Sequence, residues 1–277
     1  GGCKSSAKLL RRDGVELPVK FYSTKSAYLN PDSLDWIVLE TGFTSGLIFG
    51  KAMGEKSTDN TNYLVMCNGT DNYRYWNGVT GTVSSTTATT IVLTGTTTLA
   101  NLGFTTTGSV SVAGTDYAYT GLSSQTFTGV TPDPSGIAAN TRLTQMPVTS
   151  ATLPKGNAMI SYNGRVVMNA LSGGSSTSAG GSILGSKLND YTNFTFASPR
   201  VPAEGYQLIM AEGGGVVQAF VQYEGGLICG KQNAMSFHNV SFDSNDFPIM
   251  KPFLPYDDML TGHIGIVSKQ AMFALRN

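Results

Sequence analysis

The sequence predicts an all-β protein, and three observations support that fold class. Apolar residues at i, i+3, i+4 and i+7 rarely extend over more than ten residues, so amphipathic helices are scarce. Short apolar strings alternate with Gly, Asn, Ser and Thr, which is typical of short strands and frequent turns. The 277 residues include 33 glycines, and glycine favours turns, so many turns between short strands are expected. We expect helix only as a short segment over residues 4–12 and as a single turn over residues 30–35.

Composition limits the classes of function. Charged residues are 13% of the chain, and 18 basic residues balance 18 acidic ones. A net charge of zero argues against a nucleic-acid-binding protein, which usually carries a basic excess. Low self-repulsion also permits the chain to associate with copies of itself. No apolar run approaches the length of a membrane-spanning helix, so we expect no membrane segment.

A hairpin pattern recurs along the chain. Each copy has an apolar strand, a turn rich in Gly and often containing Asn-Gly, and a second strand, over residues 63–76, 158–168 and 219–229, with a further strand at 234–237. Asn-Gly suits the positive φ angles of a type I′ hairpin turn. Because the spacing of the copies is uneven, the repeat is weak. It indicates hairpin units stacked around a shared core, as in a propeller or sandwich.

The composition changes sharply near residue 79. Residues 80–108 contain 13 threonines, and residues 75–115 contain no charged side chain. Such a segment is either a Thr-rich β module or a flexible, O-glycosylated stalk. Apolar anchors at 91–93 and the lack of proline before Pro132 favour the folded module. We therefore predict propeller-type blades over 1–79 and 148–277, and a small inserted β-sandwich or β-barrel over 80–147.

The sequence assigns no catalytic, cofactor-binding or metal-binding residue. The two histidines, His238 and His263, belong to no spaced metal motif. Carboxylates that are neighbours in sequence, as in Asp257-Asp258 and in Asp243 with Asp246, do not establish a glycosidase pair across a cleft. The expectation is therefore a protein that is not an enzyme.

Two glycine-containing segments resemble phosphate-binding loops only superficially. In residues 46–52 the glycines are one residue too close, and Ala52 replaces the Ser or Thr that holds magnesium. Residues 213–215 precede a predicted strand rather than a helix, so no helix N-terminus follows them. A turn between strands is the preferred interpretation of residues 46–52.

Other features have an ordinary structural interpretation beside a functional one. The basic cluster over 8–12 fits a solvated face or contact with an acidic partner. The aromatic residues Tyr73, Tyr75 and Trp76 fit the core of a hairpin or a surface that stacks on a sugar. The three cysteines are too dispersed for a zinc site, and we expect buried free thiols, with one disulfide bridge as the alternative. Glycosylation patterns begin at the asparagines at positions 68, 193 and 239.

Several strings together resemble those of β-propeller structural proteins of tailed phages. Residues 66–78, with Asn-Gly-Thr-Asp and then Trp-Asn-Gly, resemble a hairpin common in that family. Residues 162–167 are similar to its Asn-Gly-Arg-Leu strand, and 184–194 to its turn ending in Asn-Phe, with Tyr191 where Pro is common. Residues 217–237 resemble the following blade. Residues 109–130 resemble a small β module found in virion proteins.

The resemblance covers roughly residues 36–250 and implies a structural role without catalytic residues. It implies a virion protein that forms a homo-oligomeric ring in the tail, as a nozzle or head-to-tail connector around the channel for DNA ejection. The implied partners are copies of the chain, other tail or connector proteins, and DNA in passive contact. The residues outside the insertion suffice for four or five blades. Because the chain stops within an apolar run, we expect a fragment with blades missing.

One alternative is a host-binding tail fibre or adhesin in which Tyr73, Tyr75 and Trp76 stack on a glycan. A propeller glycosidase is a second alternative, although the Asp-box pattern of sialidase-type blades is missing from the sequence.

Overall fold

The computed structural model describes residues 2–58, 61–171, 182–195, 205–209, 215–223, 226–231, 235–242 and 248–252. Strands make up 52% of the structure and helix 2%. The strands form several antiparallel sheets, which confirms the predicted all-β fold class. The chain divides into two compact units. The first contains the described residues up to Gly46, Ser57–Leu64 and Arg74–Thr149. The second contains Leu47–Lys56, Val65–Tyr73 and the described residues from Ser150 onward.

The first sheet has four antiparallel strands in chain order. They are β1 (Ser5–Leu10), β2 (Glu16–Phe21), β3 (Lys25–Leu29) and β4 (Trp36–Thr41). Every second residue of β2 is buried, from Leu17 through Val19 to Phe21, so one face of the sheet packs on the core. Pro18 and Lys20, which alternate with them, lie on the opposite face.

The helix expected over residues 4–12 is wrong, because this segment forms β1. Leu9 is fully buried between exposed Lys8 and Leu10, and it pairs with Leu17 of β2. That alternation has the period of a strand, and pairing with β2 outweighs a weak local preference for helix. The single turn expected over residues 30–35 is confirmed, since the Leu34 N–H donates to the Asn30 carbonyl at 2.9 Å.

Three strands follow, β5 (Gly50–Lys56), β6 (Thr61–Cys67) and β7 (Tyr73–Trp76). The loop between β6 and β7 is longer than a two-residue hairpin. Asn68 Oδ1 accepts hydrogen bonds from the N–H groups of Thr70 and Asp71, at 3.1 and 2.8 Å, while Gly69 takes a φ of 86°. Asn68 thus closes an Asx turn, and only Gly69 uses the left-handed region.

The next strands form one seven-stranded sheet with the order β11-β10-β14-β8-β9-β13-β12. They are β8 (Thr80–Thr87), β9 (Thr90–Leu93), β10 (Gly108–Val112), β11 (Thr115–Tyr119), β12 (Gly121–Ser123), β13 (Thr126–Thr128) and β14 (Arg142–Gln145), with the short helix α1 (Leu99–Leu102) after β9. β8 pairs with β14 through its first residues and with β9 through its later ones, with a register shift between Val83 and Ser85. The sheet is therefore a folded module rather than a flexible stalk.

One hydrophobic core serves both halves of this sheet. It contains the buried residues Val79, Val83, Ile91, Leu93, Leu99, Phe104, Val110, Val112, Tyr119, Phe127, Val130 and Leu143. Phe127 lies edge-on to both Phe104 and Tyr119, with ring centroids 5.0 and 4.8 Å away. The threonines of β8 point mainly outward, because only Val83 of that strand is buried. The predicted boundaries at residues 79/80 and 147/148 stay a prediction.

After this sheet, β15 (Val148–Ser150) completes a four-stranded sheet with the order β15-β7-β6-β5. The seven strands β8 to β14 therefore lie between the third and fourth strands of a simple meander. A meander of four antiparallel strands is the unit of a propeller blade.

The second unit contains two more four-stranded meanders in chain order. One has β16 (Met159–Tyr162), β17 (Arg165–Asn169), β18 (Ser182–Gly185) and β19 (Tyr206–Ile209); the other has β20 (Ala219–Tyr223), β21 (Gly226–Gly230), β22 (Met235–Phe242) and β23 (Pro248–Pro252). The predicted Asn-Gly turn is confirmed between β16 and β17, where Asn163 and Gly164 have φ of 47° and 69°. Tyr162, Val167, Val217 and Leu227 share one buried cluster.

Among the described residues, no helix is long and apolar enough to cross a membrane. The one helix described there, α1, has four residues.

Candidate assembly surface

The aromatic cluster of residues 73–76 belongs to the core. Tyr73 and Trp76 are buried, and Tyr75 is half-buried edge-on to Tyr63. The Trp76 Nε1–H donates to the Gln145 carbonyl at 2.7 Å, and its ring centroid lies 5.1 Å from that of Tyr28. Tyr73 and Trp76 therefore present no ring face on which a sugar could stack.

Residues 46–52 form a turn that leads into a strand, as the preferred interpretation predicts. Gly46 has a φ of 84°, and Gly50, Lys51 and Ala52 open β5. No helix follows this segment, so it lacks the convergent N–H groups of a phosphate loop. The glycines at positions 213 and 214 lie outside the described residues.

Most of the candidate titratable residues also lie outside the described residues: Asp243, Asp246, Asp257, Asp258 and His263. His238 lies on β22. Within the described ranges, no group of three or more His, Cys, Asp or Glu residues is arranged to hold a metal ion.

The three cysteines are free thiols. Cys67 and Cys229 are buried, as expected, whereas Cys3 is exposed. Burial raises the pKa of the Cys229 thiol, which keeps it protonated and unreactive at neutral pH. Of the asparagines in glycosylation patterns, Asn68 is buried in the loop after β6, Asn193 closes a turn with Thr195, and Asn239 lies on β22.

A surface that stands out is on the first sheet and was not predicted. Leu10 on β1 and Trp36 and Val38 on β4 are 46%, 39% and 44% exposed, respectively. The Lys20 ammonium lies 3.9 Å from the Trp36 ring centroid on the same side of the sheet. We call this region the edge surface: the edges of β1 and β4 with Ser6, Lys8, Leu10, Trp36 and Val38.

The edge of β4 presents backbone groups without a neighbouring strand in the part of the chain that the structure describes. The Asn30 N–H donates to the Asp35 carbonyl at 2.9 Å, so the facing residues 30 and 35 form a hydrogen-bonded pair. Hydrogen-bonded and non-hydrogen-bonded pairs alternate along an antiparallel ladder. The backbone groups of Trp36 and Val38 therefore point away from β3.

The edge of β1 has the same property. The Arg11 N–H donates to the Val15 carbonyl at 2.9 Å, which places Leu9 and Ala7 in the hydrogen-bonded positions facing β2. The backbone groups of Ser6, Lys8 and Leu10 consequently point outward. Asn62 Nδ2 donates to the Leu10 carbonyl at 3.0 Å, which leaves Ser6 and Lys8 as the outward-facing centre of this edge.

Charge is divided between the two edges. Residues 1–25 carry six basic and two acidic side chains, whereas residues 30–40 carry three acidic side chains and no basic one. Arg11 and Arg12 follow β1, and Asp32 and Asp35 precede β4. Arg11 pairs with Asp13 at 2.7 Å, and Asp32 pairs with Arg142. Besides these ion pairs, Arg12 at the end of β1 and Asp35 at the start of β4 carry opposite charges.

A groove of about 430 Å³ lies within the first unit, beside β4. One wall of the groove is formed by Ile37, Val38 and Leu39. The other wall includes Ala113 and Met146. The Tyr28 hydroxyl lies 2.9 Å from the Thr144 hydroxyl among its lining residues. The groove extends the apolar surface of the β4 edge inward.

Comparison with known proteins adds no family to this geometry. A scan of the sequence against models of protein families finds no match, and a search of curated proteins finds no significant similarity.

Proposed function

We propose that the chain is a non-enzymatic structural protein of a tailed-phage particle. In this proposal it assembles with its own copies into a ring in the tail nozzle or head-to-tail region, around the DNA channel. The observation that carries the proposal is the edge surface: one sheet with two outward-facing strand edges and exposed apolar residues. Lys8 on β1 and the register shift where β3 pairs with β4 are protections common at free edges, yet Leu10, Trp36 and Val38 still expose apolar surface there.

The architecture supports this proposal at the level of the blades. The described strands include four meanders of four antiparallel strands each, three of them in uninterrupted chain order. Such sheets are blade-like and match the fold that the sequence resemblance implies. A net charge of zero also suits a channel protein, because strong positive charge would bind passing DNA through its phosphates.

Two different edges on one subunit favour a ring over a dimer. If the edge of one copy contacts the other edge of the next, the interface is heterologous, and repetition closes a ring when the rotation permits. Many modest contacts then add to a stable assembly.

The test is the mass of the purified chain by light scattering, with negative-stain images, alone and with other tail proteins. We expect a defined ring of one stoichiometry, alone or with those proteins added. A stable monomer in every mixture would contradict the proposal, and binding on a glycan array would then favour the adhesin alternative.

A further inference from the structure

We infer that the edge surface is the subunit interface, in which β1 of one copy pairs antiparallel with β4 of the next copy. This inference rests on the proposed function, because it names the partner as a second copy of the chain. It specifies the strands, their direction and their register.

Strand direction follows from the sheet itself. Adjacent strands of the first sheet are antiparallel, so β1 and β4, three strands apart, also run in opposite directions. A second copy in the same orientation therefore places its β1 antiparallel to the β4 edge. In the register derived next, residues 5–8 of β1 lie opposite residues 36–39 of β4, and two residues of each strand extend beyond the pair.

The register follows from the rows of paired residues. Val38 pairs with Ala27, Ala27 with Lys20, and Lys20 with Ser6, so these residues form one row across the sheet. If the row continues without a shift, Ser6 of the second copy lies beside Val38, and Lys8 lies beside Trp36. This register joins the outward-facing backbone groups of both edges and leaves the Leu10 carbonyl with Asn62.

The side chains fit this register. The exposed Trp36 ring, which already contacts the Lys20 ammonium, would lie beside Lys8, whose exposed ion pair with Glu16 would exchange for a cation–π contact. Val38 would lose its exposed apolar surface to the neighbouring strand.

Charge complementarity selects a second copy as the occupant. In the antiparallel arrangement, the start of β4 lies beside the end of β1. Asp32 and Asp35 of one copy then lie at the same end of the interface as Arg11 and Arg12 of the next. A partner strand with acidic residues beside the start of β4 would be repelled by Asp32 and Asp35.

A charge exchange tests the direction. Arg12 and Asp35 both have exposed side chains, so Arg12→Glu or Asp35→Arg should leave the fold intact. We expect each single change to weaken self-association by about two- to five-fold, the range for an exposed pair, and the double change to restore it. Additive weakening in the double variant would contradict the antiparallel direction.

Disulfide capture tests the register. In a Cys3→Ser background, Ser6→Cys and Val38→Cys variants are mixed in equal amounts and mildly oxidised. Facing residues of a hydrogen-bonded antiparallel pair have Cα atoms about 5.5 Å apart, within the range of a disulfide. We expect the mixed Ser6→Cys/Val38→Cys dimer to exceed either homodimer at least tenfold on a non-reducing gel. The control replaces Val38→Cys by Leu188→Cys, whose side chain is 40% exposed on the second unit.

The outcomes separate this inference from the proposed function. A ring by light scattering with no more mixed disulfide than in the control would overturn the β1–β4 pairing and leave the ring proposal standing. Dominant Val38→Cys homodimers would overturn it in favour of a two-fold contact. A monomer by light scattering in every mixture would overturn both.

Discussion

The two tryptophans of the chain lie in opposite surroundings within the first unit. Trp76, on β7, is 1% exposed and donates a hydrogen bond to the Gln145 carbonyl. Trp36, on β4, is 39% exposed and contacts the ammonium of Lys20. The region around β7 is a buried core in which Trp76 is fully packed. The region around β4 is a sheet edge that exposes apolar surface to solvent.

The difference shows that aromatic density in a sequence does not identify a binding surface. The crowded residues 73–76 pair with partners inside the fold, so their ring faces are occupied. Trp36 is isolated among aliphatic and acidic neighbours, and its exposure results from the position of β4 at the end of a sheet. The exposed apolar residues of the edge surface are therefore set by strand order rather than by composition.

The largest expected effect separates the two tryptophans directly. Trp76→Ala leaves a large cavity and an unpaired Gln145 carbonyl, and should lower the free energy of unfolding by about 3–5 kcal/mol. Trp36→Ala should change it by less than about 0.5 kcal/mol, because the side chain is at the surface. Urea unfolding followed by circular dichroism measures both. Equal losses would contradict the assignment of one residue to the core and the other to the edge.

The next effect concerns the ion pair that joins the two regions. Arg74 of β7 contacts Glu40 of β4 at 2.5 Å, and both side chains are largely buried. Arg74→Gln should cost about 1–3 kcal/mol, since it leaves a carboxylate in a partly desolvated place. The matched control is Lys8→Gln, which breaks the exposed pair with Glu16 and should cost less than about 1 kcal/mol. A smaller loss for Arg74→Gln than for the control would contradict the account.

A smaller effect depends on pH. The Tyr119 hydroxyl lies 2.8 Å from both Gln145 Oε1 and the Thr105 carbonyl, and burial raises its pKa above the ordinary value. The folded state therefore favours the neutral phenol. Its stabilising contribution is complete below about pH 10, the unfolded value, and is lost as the pH rises through the folded pKa.

Tyr119→Phe should cost about 1 kcal/mol at neutral pH through the lost hydrogen bond. It should also make the loss of stability above pH 10 less steep, as measured by urea unfolding at several pH values. A pH profile parallel to that of the unchanged protein would show that this phenol does not contribute.

The smallest effect on stability accompanies the largest effect on assembly. Val38→Lys places a charge on the free edge of β4 and should change the free energy of unfolding by less than about 0.5 kcal/mol. Light scattering should nevertheless show loss of the assembly. Leu188→Lys, at a residue of similar exposure in the second unit, should leave the assembly intact. If the two variants assembled to the same extent, the β4 edge would not be part of the interface.

Local chemistry made part of the fold predictable. The Asn163-Gly164 turn follows from two residues that tolerate positive φ between apolar strands. The buried anchors Ile91 and Leu93 gave the Thr-rich segment enough apolar surface to fold. These features depend only on neighbours in sequence, so a single sequence contains them.

Features that depend on distant partners were not predictable. Residues 4–12 form a strand because β2 and the core are available to pair with, which no local pattern records. The edge surface was missed for the same reason, since the sequence does not state which strand ends a sheet. The alternation of Ser6, Lys8 and Leu10 with Ser5, Ala7 and Leu9 is the one local signal of β1 in the sequence.

The most direct test uses two variants that each close one edge. Ser6→Pro removes an outward N–H from β1, and Val38→Pro removes one from β4, while the hydrogen bonds inside the sheet remain. Circular dichroism first verifies that both variants are folded. Light scattering then measures the mass of each variant alone and of their equal mixture.

The account predicts a monomer for each variant alone and a dimer of twice the chain mass for the mixture. Each dimer would join the open β1 edge of the Val38→Pro variant to the open β4 edge of the Ser6→Pro variant and could not grow further. A mixture that stays monomeric, or a single variant that still forms the full assembly, would contradict the pairing of β1 with β4.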